Sequence, residues 1–319
     1  MGRTLVAVLG GGRSSEHDVS IASAAAVAGA LAGGYDVLRM TLERDGSWST
    51  DDGELKNAPL AQAAEVITRA DVVFPAFHGV GGEDGTIAGL LDLLGVPYVG
   101  SGVRAGALGM DKWATKLVAE AIGVATAPGV LVTGGSTDLG GLRFPVVVKP
   151  VAAGSSHGVS VVRFSDELAP ALAAAAAEDE RVLVEQLVNG REVDVAVLEH
   201  PDGALQVGPP LEITLRPGTS VFDTDTKYDG GAVFTVPALL PDGADEQLRA
   251  AAAAVFRALG CRGLARVDFF LTDAGLVLNE INTMPGMTEH SQVPRMFAAA
   301  GLDYPALTDV LVRTALARR

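Results

Sequence analysis

The chain has 319 residues, 48% of them hydrophobic and 20% charged, with 24 Lys and Arg against 39 Asp and Glu for a net charge of -15. That length accommodates two or three packed domains, and the composition excludes disordered and collagen-like classes. The acidic balance, unbroken by any basic patch, argues against nucleic acid or an anionic membrane as partner.

A single cysteine, Cys261, permits no internal disulfide and fits a reducing compartment. The start of the chain lacks the core of a signal peptide, and no apolar run is long enough to span a bilayer, so a soluble, cytoplasmic protein is expected.

Apolar runs at 5–9, 35–40 and 71–77 alternate with helical patterns at 20–31 and 86–94, which predicts a parallel sheet flanked by helices. Gly10-Gly11-Gly12 follows the first strand, but the third glycine of a dinucleotide fingerprint is missing and NAD is not expected. Glu16 falls just before a helix, where a carboxylate in a tight loop suits a substrate ammonium. His78 opens the segment His78-Gly79-Val80-Gly81-Gly82-Glu83-Asp84-Gly85 at the end of a strand, where such sheets present ligand contacts. A satisfied structural histidine is the competing view.

A helix is expected over 111–122, capped by Asp111 and carrying Lys112 at its start. A Gly- and Thr-rich connection, 133–141, leads to closely spaced strands at 145–149, 159–164 and 181–187, with an Ala-rich helix at 166–177, so this stretch reads as a small α+β unit. Lys149 ends the first of these strands, and Gly154-Ser155-Ser156-His157-Gly158 follows it. Free N–H groups in such a loop can fold over phosphates while a lysine meets their charge, although the Walker order is absent and an ordinary surface hairpin is the alternative. Glu185 and Glu192 suit an adenine and a ribose, and Lys112 and Lys227, the latter beside Tyr228, suit phosphates. Strands at 191–199 and near 211–215, a helix at 242–259, a hairpin and two helices complete the chain.

The hairpin carries the strongest signal. Alternation puts Arg266 and Asp268 on one face of 263–271 and Val267, Phe269 and Leu271 on the other. In 276–282 the same period groups Leu276, Leu278, Glu280 and Asn282, with Ile281 opposite. Asp268 and Glu280 each lie six residues from Ala274, so a simple hairpin sets them opposite each other at about 5 Å between Cβ atoms. Unless one is protonated, a cation must sit between them, and the oxygen set Asp268, Glu280 and Asn282 suits magnesium. Scattered acids on a solvent-facing strand are the plainer alternative.

In joint order, Gly10 to Glu16, His78 to Gly85, Met110-Asp111-Lys112, Lys149-Pro150 with Gly154 to Gly158, Arg266-Val267-Asp268 and Glu280-Ile281-Asn282-Thr283-Met284-Pro285-Gly286-Met287-Thr288 closely resemble the D-alanine-D-alanine ligases of the ATP-grasp superfamily. The resemblance implies a three-domain ATP-grasp fold, α/β and α+β: an N-terminal parallel α/β substrate domain (1–110), a central subdomain (111–187) and a C-terminal subdomain (188–319), with ATP between the last two. It implies ATP and magnesium, with manganese as a substitute, D-alanine as substrate, and a homodimer.

Residue by residue, it places Lys112, Lys149, Ser155, Ser156, Lys227 and Asn279 at the nucleotide, Glu185 at the adenine and Glu192 at the ribose. Glu16 and His78 would hold the first D-alanine, Glu16, Ser155 and Tyr228 would form a hydrogen-bonded set, and Lys227 and Ser291 would hold the second carboxylate. Arg266 and the Gly286 N–H would face the reacting carbonyl. The activity implied is ATP-dependent joining of two D-alanines through a D-alanyl phosphate, for peptidoglycan precursors. Residues 221–231 would close as a lid. Phe222-Asp223-Thr224-Asp225-Thr226 is poorer in aromatics than the family's usual lid, which keeps open a related ligase with another D-amino acid acceptor, of a specialised or resistance pathway. Tyr228, where ester-forming relatives carry histidine, favours an amine acceptor. A nucleotide-binding regulator without catalysis is the reading from another class.

Overall fold

The structure is a computed structural model that describes residues 2–134, 136–215 and 232–318. Lys227 and Tyr228, and the whole of the expected lid at 221–231 with them, lie outside the described residues.

Three sheets organise the chain. In the first, β1 (Leu5–Gly11) pairs in parallel with β2 (Asp36–Leu42) and β4 (Val72–Pro75), while the short β3 (Trp48–Thr50) adds an antiparallel edge. The sheet is therefore mixed, mostly parallel. Helices α1 (His17–Leu31), α2 (Leu60–Ile67) and α3 (Thr86–Leu94) accompany it. Gly10 is required by close packing: a Cβ there would meet the Ala24 Cβ at 2.6 Å, so α1 lies tightly against the strand only over a glycine. Gly10 of the glycine triplet thus serves helix–strand contact.

Helix α4 (Val103–Met110) and α5 (Lys112–Ala121) follow, and the Asp111 carboxylate caps α5 by accepting from the Ala114 N–H at 2.8 Å. The second sheet is antiparallel, in the order β5 (Gly129–Val132), β8 (Val182–Gln186), β6 (Val146–Pro150), β7 (Ser160–Val162), and α6 (Leu168–Ala176) covers it through Leu168, Leu172 and Ala175. The small α+β unit is present, with β5 as a strand that the sequence expectation lacked.

The third sheet runs β12 (Ala232–Thr235), β11 (Leu211–Leu215), β9 (Arg191–Glu199), β13 (Leu264–Thr272), β14 (Gly275–Asn282), with β10 (Leu205–Val207) on β9. Its two faces follow from period 2. Val193, Val195, Val197, Ala265, Val267 and Phe269 form one core with α7 (Ala244–Leu259), joined by Ala105 of α4 and Ala119 of α5. Fully burying a side chain such as Val195 or Phe269 is worth about 1.5–3 kcal/mol. On the opposite face, Ala196, Leu198 and Leu264 pack into a second core with α1, α8 (Gln292–Ala299) and α9 (Tyr304–Ala317). The same face continues along the strands as Glu192, Asp194, Arg266 and Asp268. A polar site thus begins where an apolar face ends.

The hairpin differs in one respect from strict alternation. Asp268 does face Glu280, as expected, but the register shifts between Asp268 and Phe269, so that Phe269 pairs with Leu278 and Asn279 is the extra residue of a bulge. Leu278 and Ile281 consequently share the core side, and Leu276 packs against that same core, whereas the sequence pattern grouped Leu276 and Leu278 with Glu280. Glu280 and Asn282 keep the pocket side.

Candidate active site

A cavity of about 830 Å³ is lined by strands of the second and third sheets and, from the first, by the segments that follow β1 and β4. Glu16, His78, Lys112, Lys149, Ser155, Ser156, Glu192, Arg266, Asp268, Asn279, Glu280, Asn282, Gly286 and Ser291, all singled out from the sequence, line it.

At one end, Glu16 occupies the N-cap position of α1 without capping it. Its carboxylate instead accepts a short hydrogen bond from the Ser155 hydroxyl, while the positive end of the helix favours the charge. Gly154 lies so close that a Cβ would meet Glu16 Oε2 at 2.4 Å. Ser155 and Ser156 have φ of 49° and 58°, the left-handed region that residues other than glycine seldom adopt, and strain of this kind gathers at functional loops. Lys112 anchors the loop's approach by donating to the Ala153 carbonyl at 2.7 Å.

His78 is buried with both ring nitrogens engaged: Nδ1 lies 3.0 Å from the Met284 carbonyl, so it carries the proton, and Nε2 accepts from the Ser23 hydroxyl at 2.8 Å. Burial pushes its pKa below the usual histidine value, against the charge of Glu16. The satisfied structural histidine is what the geometry supports. It ties the loop after β4 to the turn after β14. Glu83, one turn further, accepts from the Gly79 N–H at 2.8 Å.

Burial, with the charge of Glu16 adding to it, pushes the Glu83 carboxyl up to about 8. The folded protein therefore holds a proton that the unfolded chain releases near pH 4.3. This group's contribution to stability is complete in acid and is lost as pH rises toward 8. The Tm of Glu83→Gln should accordingly fall less between pH 5 and 8 than that of the parent; parallel curves from calorimetry at several pH values would refute the assignment.

Glu185 does not line the cavity; it sits buried between two lysines, of which Lys149 does. Lys116 Nζ is 2.6 Å from Glu185 Oε1, and Lys149 Nζ contacts Oε2 and lies 3.4 Å from Asn279 Oδ1. Burial acts to raise the Glu185 pKa, but Lys149 and Lys116 together hold it below the usual carboxylate value. Lys116 was missed from sequence, although it stands four residues after Lys112 on one helix face. Across the pocket, Arg191 grips Glu212 with two hydrogen bonds of 2.7 and 2.6 Å.

At the third corner, Arg266 donates from Nε and Nη2 to the two oxygens of Asp268, each at 2.7 Å, and from Nη1 to Gln292 Oε1 at 2.7 Å. Of its five N–H groups, one on Nη1 and one on Nη2 keep no partner among the described residues. Burial opposes its charge, yet Asp268 and Asp194 hold it firmly protonated. Lys112 lies 3.6 Å from Glu280. The repulsion between Asp268 and Glu280 is thus met by the protein's own cations, and charge alone does not demand a metal.

The donor set does suit one. Asp268, Glu280 and Asn282 are oxygen ligands, and Asn282 gives its Nδ2 to Asp268 at 3.1 Å, which leaves its Oδ1 without a protein partner among the described residues. No group of three or more His, Cys, Asp or Glu side chains forms a ready cage among the described residues. Few protein ligands is the pattern of magnesium that takes waters and phosphates for the rest.

The sequence also missed Asp194. It is buried on β9, its carboxyl pushed well above the usual range by burial and by the charge of Asp268. Alternation from Glu192 would have found it.

Residues 137–313 match the family model described as D-ala D-ala ligase C-terminus, and residues 5–101 match D-ala D-ala ligase N-terminus. The chain belongs to the D-alanine-D-alanine ligase family. It is 44% identical to the D-alanine--D-alanine ligase of Mycolicibacterium smegmatis, covering 99% of this chain and 96% of that one, and 42% identical to the ligase of the same name from Rhodococcus opacus, covering 99% and 98%. Among solved structures it is similar to the VanG D-Ala:D-Ser ligase of Enterococcus faecalis (TM-score 0.85, 31% identity, 98% and 100% covered) and to the D-alanine-D-alanine ligase of Coxiella burnetii (TM-score 0.83, 30%, 100% and 95%). The three-sheet architecture is that of these ligases, and the glycine-rich, histidine and hairpin motifs fall around the cavity described above. Within the described residues no helix is long and apolar enough to cross a membrane.

Proposed function

We propose that this ligase-family chain joins two D-alanines to D-alanyl-D-alanine at the expense of ATP, through a D-alanyl phosphate, to supply peptidoglycan precursors in the cytoplasm. The observation that carries this is the meeting, in one cavity, of Glu16 with Ser155 at one end, Lys149, backed by the buried Glu185, at another, and Arg266 on the hairpin at the third. An amino-acid ammonium, a triphosphate and a carbonyl each find a complementary group there.

In this reading Glu16 meets the ammonium of the first D-alanine, and Ser155 fixes the Glu16 carboxylate. Lys112, Lys149, Ser155, Ser156 and Lys227 draw the phosphates, Glu185, Glu192 and Asn279 frame the nucleoside, and Asp268, Glu280 and Asn282 hold magnesium. Magnesium held there would supply positive charge to offset the phosphates; beside Lys112 and Lys149, a carboxylate oxygen of the first D-alanine attacks the γ-phosphorus. ADP leaves, and the carboxylate has become a mixed anhydride. Ser291 and Lys227 hold the second D-alanine by its carboxylate. Its neutral amine adds to the anhydride carbonyl, the oxyanion is met by the two remaining N–H groups of Arg266 and by the Gly286 N–H, and phosphate departs. Tyr228, with Lys227 on the segment outside the described residues, would complete the closure that keeps water from the anhydride. The units 1–110, 111–187 and 188–319 and a homodimeric assembly belong to the same proposal.

Incubation with ATP, magnesium and D-alanine should yield ADP, phosphate and the dipeptide. Folded protein that binds ATP but makes no dipeptide would refute it. A panel including D-serine separates the second reading, favoured by the likeness to the D-Ala:D-Ser ligase: a mixed product exceeding D-alanyl-D-alanine would shift the assignment.

A further inference from the structure

Asp194 has no part in the scheme above, yet it stands inside it. It is 1% exposed in the middle of β9 and is the direct strand neighbour of Asp268. Its Oδ2 accepts from Gln292 Nε2 at 2.7 Å and lies 3.4 Å from Arg266 Nε. Its Oδ1 is the one buried side-chain polar atom without a hydrogen-bond partner among the described residues. An unpaired buried acceptor is costly, so one that persists invites a partner acquired in another state.

Gln292 completes the arrangement. Its Oε1 accepts from Arg266 Nη1 while its Nε2 donates to Asp194, both at 2.7 Å. A guanidinium offers donors alone, so the carboxamide cannot flip without setting N–H against N–H. It is wedged in one orientation and fixes the plane of Arg266.

A conflict follows from the two roles of Asp268. Both of its oxygens are held by Arg266. A cation coordinated by Asp268 competes for the same oxygens, and a buried guanidinium that loses its acceptor is strongly destabilised. Nε already lies near a second carboxyl, that of Asp194, with an unused oxygen.

We propose that Asp194 and Gln292 are positioning residues for Arg266: Asp194 is the second acceptor that takes over the guanidinium as Asp268 turns to the metal, and Gln292 keeps its plane aimed at the reacting carbonyl throughout. The exchange lets one hairpin serve the phosphates and the acyl centre together. It rests on the assignment of Arg266 to the oxyanion and of Asp268 to the metal.

The test uses the full chain and two readouts. Asp194→Val should lower kcat by about 10- to 100-fold, the scale of a displaced catalytic group, with KM for ATP and D-alanine within about twofold. Asp194→Asn, which keeps an acceptor, should recover most of it, and Gln292→Leu should lower kcat in the same sense, which covers the case of an unfolded Asp194→Val. In the presence of ADP, Mn2+ binding counted by electron paramagnetic resonance should weaken in Asp194→Val and return when Arg266→Met is added, because the competitor for Asp268 is gone. A kcat within about twofold of the parent in both Asp194→Val and Gln292→Leu, or a Mn2+ deficit that persists in the double variant, overturns the proposal. Full activity of Arg266→Met alone, or no Mn2+ binding by the parent with ADP, overturns instead the assignment on which it rests.

Discussion

Arg266→Met should lower kcat by about 10²–10³-fold, the loss measured when a preorganised oxyanion donor is removed. Methionine keeps the length and bulk of the side chain but removes both unassigned N–H groups and the fork on Asp268. A second signature separates this from simple misfolding. Without the guanidinium, Asp194 and Asp268 face each other across neighbouring strands, buried and with no cation between them. Asp194 is already raised in the parent and the Arg266 charge opposes that rise, so losing the guanidinium raises it further, and the variant should be least impaired in acid and increasingly impaired as pH rises. Calorimetry from pH 5 to 8, beside steady-state kinetics, reads both effects; unchanged kcat, or a Tm difference independent of pH, contradicts the assignment.

Glu185→Leu is expected to have the largest effect on stability, about 3–5 kcal/mol, because it strips the partner from two buried ammonium groups. Lys116 and Lys149 are only 4% and 6% exposed, and Glu185 binds each with a separate oxygen. Lys116→Met should cost less, since it leaves Lys149 and Glu185 as a paired couple. The pH trend is opposite to that of Arg266→Met. Unpaired buried lysines favour the neutral form, the unfolded chain then binds more protons, and the Glu185→Leu deficit should shrink as pH rises toward 9. Urea unfolding at pH 7 and 9 measures this, and an equal cost for the two variants would show that the buried trio does not act as one unit.

The elements that could be read from sequence were those with an unambiguous period or a strong cap. Helix α5 begins where Asp111 caps it, and β9 and β11 fall at the expected bounds. Shorter pieces escaped. β3 has three residues and β5 four, too few for alternation to register, and their pairing is supplied by neighbours distant in the chain. The bulge at Asn279 escaped for another reason: an inserted residue reverses the phase of everything beyond it, and nothing in Leu276 to Asn282 announces the insertion. The pairing of Asp268 with Glu280 survived because the turn, with Thr272 paired to Gly275, is one residue tighter than a hairpin centred on Ala274, and the bulge makes up that residue.

Within the site, the charges gathered around the cavity were legible as candidates, and residues whose evident partners are other side chains were not. Glu16, Lys149, Arg266 and the hairpin acids stand out as charges in apolar surroundings. Lys116 and Asp194 do too, but their partners are Glu185, 69 residues away, and Gln292, 98 residues away, and only the folded chain brings those pairs together. For His78 the weighing turned the other way: a histidine at a strand end suggests a ligand, while two protein partners on its ring occupy it.

The hydrogen bond between Ser155 and Glu16 spans 139 residues of chain, and that between His78 and Met284 spans 206. On the ribosome, Glu16 emerges long before anything it works with, and the last essential groups arrive only with the hairpin and the turn that follows. A fragment ending before the hairpin keeps Glu16, Lys112 and Lys149 but lacks Arg266, Asp268, Glu280 and Asn282. A product shortened before that turn is therefore expected to turn over neither ATP nor D-alanine, and turnover reports that synthesis has passed the hairpin.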